Sequence, residues 1–336
     1  MIRAYLAFTE KGLALAERLA AVLPGSVSRG GKGGVSLAEW TTQQFAQADA
    51  LIFVGAAGIA VRAIAPHCRS KASDPAVVVL DECGRFAIPI LSGHLGGAND
   101  LARELAAICG AIPVITTATD ANGVFAVDEW AKHQNCAVLE VEKIKCVSGK
   151  LLTGKTAAYW SDYTVAGVVP ADAIAAETQE DADFALTLFP KGNALHLVPK
   201  IAVLGVGCRR GTTAEQLEMI FEEFCEKTGL APQGICMAAS IDLKQNEAGL
   251  LKFCEKQHWN IEFYSAEQLQ KAPGTFTPSS FVRSVTGVDN VCERSAVLSS
   301  GGSLCLKKYA SGGVTFALAQ KPYSPDWRWQ NVRNIE

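Results

Sequence analysis

Apolar runs alternate with segments of helical spacing through the first third of the chain. Ile2 to Phe8, Ala50 to Val54, Ala76 to Leu80, Phe86 to Leu91 and Ile112 to Thr116 are predicted as strands buried in a sheet. Lys11 to Leu23 carries Leu13, Ala16, Leu19, Ala20 and Leu23 on one helical face and stops at Pro24-Gly25. Leu37 to Gln47, Ile59 to Ala65 and Leu101 to Ala107 are further predicted helices, and the glycines at 30, 31, 33 and 34 form a loop. Such alternation predicts an α/β layer with a mostly parallel sheet, in which ligands bind at the carboxyl ends of the strands. Gly55 to Gly58, Asp81-Glu82, Ser92 to Asn99 and Thr116 to Asp120 are therefore expected on one rim.

From Phe125 to Pro199 the pattern weakens. Val127 to Gln134 predicts a helix, and Ala137–Val141, Tyr163–Val169, Phe184–Phe189 and Leu195–Val198 predict small strands. A second unit starts at Lys200. Strand Ile201 to Gly205 leads through a glycine-rich loop into a helix with Leu217, Ile220, Phe221, Phe224 and Cys225 on one face. Thr212 and Glu215 have capping-box spacing, and Gly229 ends the helix. Ile235–Ala238 and Ile261–Tyr264 read as strands, Asn246–Gln257, Ser279–Ser284 and Asn290–Leu298 as helices, and Leu304–Lys308 with Val314–Gln320 as a closing hairpin. The fold class is thus α/β: two Rossmann-like domains with mostly parallel sheets, residues 1–124 and 200–322, joined by a small mixed α/β middle segment, 125–199. Residues 323–336, with Trp327-Arg328-Trp329, form a tail of unassigned role.

Composition narrows the classes. The net charge of −3 over 336 residues, with only isolated basic pairs, gives no nucleic-acid footprint. There is no apolar run of membrane-span length and no signal-peptide layout at Met1-Ile2-Arg3, so a cytoplasmic protein with no membrane partner is expected. The eleven cysteines are scattered without a Cys-x-x-Cys, which predicts reduced thiols and no zinc-site spacing.

The candidate chemistry centres on Ser92-Gly93-His94-Leu95-Gly96-Gly97-Ala98-Asn99-Asp100, a polar turn between a strand and a helix. Unpaired N–H groups and the helix dipole favour anions at such a place. The same residues also suit a plain turn, with glycines for backbone freedom and Asn99 or Asp100 as a cap. Gly205-x-Gly207-x-x-x-Gly211 approximates a dinucleotide fingerprint but has one residue too many, and no strand-end acid follows at the required distance. Arg209 and Arg210 on that loop suit carboxylates, or are simply exposed. No Gly-x-Ser-x-Gly supports a serine nucleophile, and nothing local supports Cys83. Glu82 at a strand end is a candidate general base or a solvated loop carboxylate. His133, His196 and His258 read as structural or solvent-facing, and His67 is ambiguous.

Four blocks carry a resemblance. They are Gly55-Ala56-Ala57-Gly58-Ile59-Ala60-Val61-Arg62-Ala63-Ile64-Ala65-Pro66; Lys71-x-x-Asp74-Pro75 running to Asp81-Glu82; Leu91-Ser92-Gly93-His94-x-Gly96-Gly97-Ala98-Asn99; and Pro113-Val114-Ile115-Thr116-Thr117-Ala118-Thr119-Asp120. In this order they resemble the cobalamin-biosynthesis family CbiG, the cobalt-precorrin-5A hydrolases. Gly205 to Thr212 and Val285 to Glu293 resemble that family's C-terminal domain, which the CobE proteins share.

The resemblance implies hydrolysis of a δ-lactone on a cobalt-containing, polycarboxylated tetrapyrrole, with release of acetaldehyde. The cobalt belongs to the substrate, so no cofactor and no protein metal site is expected. The chemistry needs a base to activate water, donors for the carbonyl oxyanion and a second proton transfer. Glu82 or His94 is expected to activate water, Asn99 with the N–H groups of Gly96 and Gly97 to stabilise the oxyanion, and Asp120 to assist the second transfer. Substrate contacts are expected from Gly55, Gly58, Arg62, Ser92, Thr116, Thr117 and Thr119, and from Gly207, Arg209, Arg210 and Thr212 on the C-terminal loop. The expected partners are the corrinoid intermediate and neighbouring pathway enzymes. Two other functions fit less of the chain: a carrier that binds the corrinoid without reaction, and a nucleotide-dependent oxidoreductase.

Overall fold

The computed structural model describes residues 1–70 and 73–328. Lys71 of the second resembling block and Trp329 of the tail lie outside the described residues. The chain divides into two compact units, one holding residues 1–133 and 144–155, the other 134–143 and 156–327.

The first unit contains β1 (Arg3–Ala7), α1 (Glu10–Val22), β2 (Ser26–Arg29), α2 (Leu37–Gln47), β3 (Ala50–Val54), α3 (Ala57–Ile64), β4 (Ala76–Leu80), β5 (Phe86–Leu91), α4 (Ala98–Cys109), β6 (Ile112–Pro113), α5 (Ala118–Asn122), α6 (Val127–His133) and α7 (Ile144–Leu152). Its six-stranded sheet has the order β2-β1-β3-β4-β5-β6. Every residue of β3 and β4 is buried, as their unbroken apolar runs require of strands covered on both faces. One face packs Leu15, Leu19, Leu101 and Leu105 from α1 and α4. The other packs Trp40, Ala60 and Ile64 from α2 and α3.

The sheet corrects the expectation of a single rim. β3 and β4 are parallel, but β4 and β5 form an antiparallel hairpin through the turn at 81–85, and β6 runs with β5. Leu91 therefore pairs with Val77, at the start of β4, while Leu80 pairs with Ala87. Gly55 and Asp81-Glu82 lie at one end of the sheet, and Ser92 and the segment after Pro113 at the other. A five-residue strand separates the two by roughly 15 Å. Two further differences are local. Ser26–Arg29 pairs with β1 as a polar, half-exposed edge strand, which carries no apolar signature. The strand predicted to Thr116 ends at Pro113, and the expected turn at 117–123 winds into α5.

The second unit contains β7 (Cys136–Val138), β8 (Ala157–Ser161), β9 (Ala173–Ala175), β10 (Phe184–Leu186), β11 (Leu195–Pro199), β12 (Ala202–Cys208), α8 (Ala214–Thr228), β13 (Ile235–Ile241), α9 (Ala248–Lys256), β14 (Asn260–Tyr264), α10 (Ala266–Gln270), α11 (Ser280–Thr286), α12 (Cys292–Ser300), β15 (Ser303–Ser311) and β16 (Val314–Gln320). Two five-stranded sheets result, β7-β11-β10-β8-β9 and β14-β13-β12-β16-β15. The first is mostly parallel, with β7 as its antiparallel member; in the second β14, β13 and β12 are parallel and the closing β15–β16 hairpin gives two antiparallel pairs. The stretch 125–199 is shared out: α6 and α7 belong to the first unit and β7 to β11 to the second. Tyr163 to Val169 forms no strand, and β8 immediately before it does the pairing. Trp327 is buried, its ring edge-on to Tyr159 at 4.7 Å.

β12 runs on past the predicted end at Gly205 to Cys208, and its two glycines are set by packing. A Cβ at Gly205 would lie 1.8 Å from the carbonyl oxygen of Cys292, where α12 crosses the strand, and one at Gly207 would meet the Thr315 hydroxyl at 2.5 Å. The capping box sits one residue later than the spacing of Thr212 and Glu215 suggests. Thr212 Oγ1 donates to the Arg209 carbonyl, so Thr213 and Gln216 exchange the capping bonds.

Candidate active site

The turn between β5 and α4 is closed by its own backbone. Ala98 N donates to the Ser92 carbonyl at 3.1 Å and Asn99 N to that of Gly93 at 3.0 Å. Gly97, at φ 85°, is the left-handed residue from which α4 starts, a conformation that favours glycine. Ser92 also has a positive φ of 55°, and among the described residues its buried hydroxyl oxygen has no hydrogen-bond partner. Asn99 and Asp100 thus stand inside the first turn of α4 rather than capping it. Asp100 there also complements the helix dipole.

His94 is the hub. Its Nδ1 is 3.0 Å from Asp128 Oδ1 and its Nε2 2.9 Å from Asp120 Oδ2. Thr119 Oγ1 is 3.4 Å from Nε2, and Glu129 Oε2 is 4.0 Å from it. Asn99 Nδ2 donates to Thr117 Oγ1 and to Asp120 Oδ2, at 3.1 and 3.2 Å, and the Thr117 hydroxyl also donates to Asp120 Oδ2. Arg103, one turn along α4, donates to Asp100 Oδ1, Glu129 Oε1 and Asp120 Oδ1 at 3.1, 2.9 and 2.5 Å. His133 Nε2 lies 3.0 Å from Asp100 Oδ2.

The electrostatics follow from burial and this crowding. Burial disfavours the charged imidazole, but the carboxylates of Asp120, Asp128 and Glu129 outweigh it and hold the pKa of His94 up at about 10. Burial likewise works against an ionised Asp120, yet His94, Thr117 and Arg103 bring it down to about 2. Burial pushes the Glu129 carboxyl up and the Lys132 ammonium down. His94 consequently carries its proton at neutral pH and is not a general base there.

The turn therefore brings together His94, Asn99, Thr117, Thr119 and Asp120 of the predicted site residues. Thr116 is exposed beside them on the approach to α5. It does not bring in Glu82. That carboxylate is exposed at the opposite end of the sheet and accepts a hydrogen bond from Thr9 Oγ1 at 2.8 Å, next to the N-terminus of α1. Gly55, Gly58 and exposed Arg62 belong to that same end. In the second unit, Arg209 and Arg210 are exposed, while Gly211 N donates to Glu247 Oε1 at 2.6 Å. A carboxylate of the protein thus takes the N–H of the last glycine in that loop.

Sequence reasoning missed Asp128, Glu129, Arg103 and His133, and read His133 as structural or solvent-facing. All four are polar residues on short amphipathic helices. The available signal was Asp128-Glu129 opening a helix whose neighbours Val127, Trp130 and Ala131 are apolar; five consecutive residues there, both acids included, are buried. Groups on α4, α5 and α6 converge although no local spacing joins them.

Comparison with known proteins extends this description. Residues 39–120 match the family described as Cobalamin synthesis G N-terminal, and residues 202–319 match Cobalamin synthesis G C-terminus. A Salmonella typhimurium protein called cobalt-precorrin-5A hydrolase is 36% identical over 340 residues, covering 94% of this chain and 96% of that protein. A Priestia megaterium protein of the same name is 33% identical over 295 residues, covering 81% and 79%. The CobE protein of Sinorhizobium sp is 34% identical over 122 residues, covering 35% of this chain and 78% of that protein. The chain belongs to the CbiG family, the cobalt-precorrin-5A hydrolases.

Proposed function

We infer that the protein is a cobalt-precorrin-5A hydrolase of cobalamin biosynthesis. Water opens the δ-lactone to a carboxylate and a free hydroxyl. Loss of the hydroxyl proton then breaks the adjacent carbon–carbon bond, the ring carbon keeps the electron pair and is protonated, and the two-carbon fragment leaves as acetaldehyde. One water is consumed, and the cobalt is part of the substrate. The observation that carries this reading is identity at the 36% level along nearly the whole of both chains with a protein of that name.

The cluster around His94 suits the hydrolytic step. The N–H groups of Gly96 and Gly97 are the donors for the carbonyl oxyanion, and His94 and Asn99, whose own N–H groups go to Asp128, Asp120 and Thr117, fix the turn that carries them. Asp120, held near 2, is too weak a base for the second proton transfer, and its role is to fix His94, Asn99 and Arg103. In the second unit, exposed Arg209 and Arg210 are contacts for substrate carboxylates, since guanidinium groups pair with carboxylates in a bidentate fashion. Among the described residues no helix is long and apolar enough to cross a membrane, and all eleven cysteines are free thiols, which supports a reducing, cytoplasmic setting. Neighbouring pathway enzymes are the natural partners for receiving a labile product. Incubating the purified chain with cobalt-precorrin-5A and assaying acetaldehyde tests the reading.

A further inference from the structure

The carboxylates around His94 are aimed in a particular way. Arg103 holds the outer oxygen of each acid, Asp120 Oδ1 and Glu129 Oε1. Their other oxygens, Oδ2 and Oε2, face His94 Nε2 at 2.9 and 4.0 Å, and the three ligand atoms lie within 4.8 Å of one another. Asp120 Oδ2 also receives Asn99 and Thr117. Among the described residues Glu129 Oε2 receives nothing: its side chain is 1% exposed, and this oxygen is a buried acceptor without a hydrogen-bond partner. A buried carboxylate oxygen left unpaired is costly, and native structures satisfy such atoms. On the far side of the ring, Nδ1 meets Asp128, the carboxylate–histidine arrangement that fixes the tautomer of a metal-ligating imidazole.

We propose that His94 Nε2, Asp120 Oδ2 and Glu129 Oε2 form a binding site for one first-row divalent cation, with Asp128 and Arg103 orienting the ligands from behind. One imidazole and two carboxylates suit manganese, iron, cobalt or zinc rather than a thiophilic ion. Two bonds of about 2.0–2.2 Å from one centre span at most about 4.4 Å, so the 2.9 and 4.0 Å separations of Nε2 from the two oxygens both fit a shared ion. The cation takes the place of the Nε2 proton and supplies Glu129 Oε2 with its missing partner. Three protein ligands leave a coordination position open. On the hydrolase reading, which this role rests on, that position polarises the lactone carbonyl or activates the attacking water. This ion is separate from the cobalt in the substrate. Sequence spacing conceals the site because its ligands come from the β5–α4 turn, α5 and α6.

The test is metal binding by the full chain, independent of turnover. Protein stripped with a chelator is titrated with Mn²⁺, followed by the electron paramagnetic resonance signal of the free ion, because manganese discriminates against the eleven thiols. One equivalent should bind and raise the melting temperature. Glu129→Gln and His94→Gln should each weaken binding at least about tenfold, whereas His133→Gln, in the adjacent trio Asp100, Glu129 and His133, should leave it unchanged. Circular dichroism of each variant reports whether it is folded, and Asp128→Asn, outside the ligand set, gives a second weakened variant should either ligand variant fail to fold. Absence of saturable binding by the wild-type chain overturns the site, as does binding that survives both ligand substitutions or depends on His133 instead. Binding without acetaldehyde release keeps the site and rejects the hydrolase. Acetaldehyde release by a chain that binds no ion does the reverse.

Discussion

Asp128 Oδ1 stands 3.0 Å from Nδ1 of His94, on the side of the ring away from Asp120. This contact fixes which way the imidazole faces. Asp128→Asn keeps the size of the side chain but removes its charge. The variant should fold, and its kcat should fall by about 10- to 100-fold, the usual cost of losing a carboxylate that orients a working histidine. Turnover assayed alongside circular dichroism checks this; wild-type kcat in a folded variant would show that the contact is only structural.

His94 and Glu82 should separate cleanly. Because the β4–β5 hairpin puts Glu82 at the other end of the sheet, Glu82→Gln should change turnover by less than about twofold, within the range of an exposed substitution. His94→Gln should lower it by at least about a hundredfold. Acetaldehyde release by the two variants measures the contrast.

The raised pKa of His94 makes stability depend on pH. Its stabilisation in the metal-free chain is fully present below the unfolded value of 6.5 and declines as the pH climbs, vanishing above about 10. The melting temperature of chelator-treated wild type should therefore fall between neutral pH and pH 10 more steeply than that of His94→Gln. At the acid end, Asp120 contributes above its unfolded value of 3.8, and that contribution disappears as the pH drops through about 2.

The turn also has a packing constraint. A Cβ at Gly96 would lie 2.3 Å from Ser92 Cβ and 2.8 Å from the Ser92 carbonyl oxygen, inside the loop closed by the Ala98-to-Ser92 hydrogen bond. Gly96→Ala should destabilise the protein by about 1–3 kcal/mol, the scale of overpacking. Denaturant unfolding monitored by circular dichroism gives the number.

Substituting Arg209 and Arg210 together with Ala should raise KM for the corrinoid by about tenfold or more while kcat changes less, because both are exposed cations suited to holding carboxylates rather than moving protons. Steady-state kinetics at moderate salt resolves the two parameters. An unchanged KM would remove this loop from substrate binding.

The elements with long apolar signatures were legible in the sequence. β3, β4 and β5 begin and end where their apolar runs do, and α2 spans the predicted residues. The alternation also implied the α/β class. Strand direction was not legible: nothing in Asp81-Glu82-Cys83-Gly84-Arg85 announced a hairpin, since a tight reversal and a strand-end loop share the same polar residues. That one ambiguity placed Glu82 on the wrong side of the sheet. The turn at 92–99 stood out by its glycines and histidine, and Asp120 by its place after the strand that begins at Ile112. Asp128, Glu129 and Arg103 were not, because their partners are set by how α4, α5 and α6 converge rather than by spacing along the chain.

Acetaldehyde release from cobalt-precorrin-5A by the purified chain, without nucleotide, tests the central claim most directly. The hydrolase predicts many equivalents of acetaldehyde per chain, nearly abolished in His94→Gln and retained in Glu82→Gln. Corrinoid bound tightly with no acetaldehyde formed would contradict it and identify a carrier.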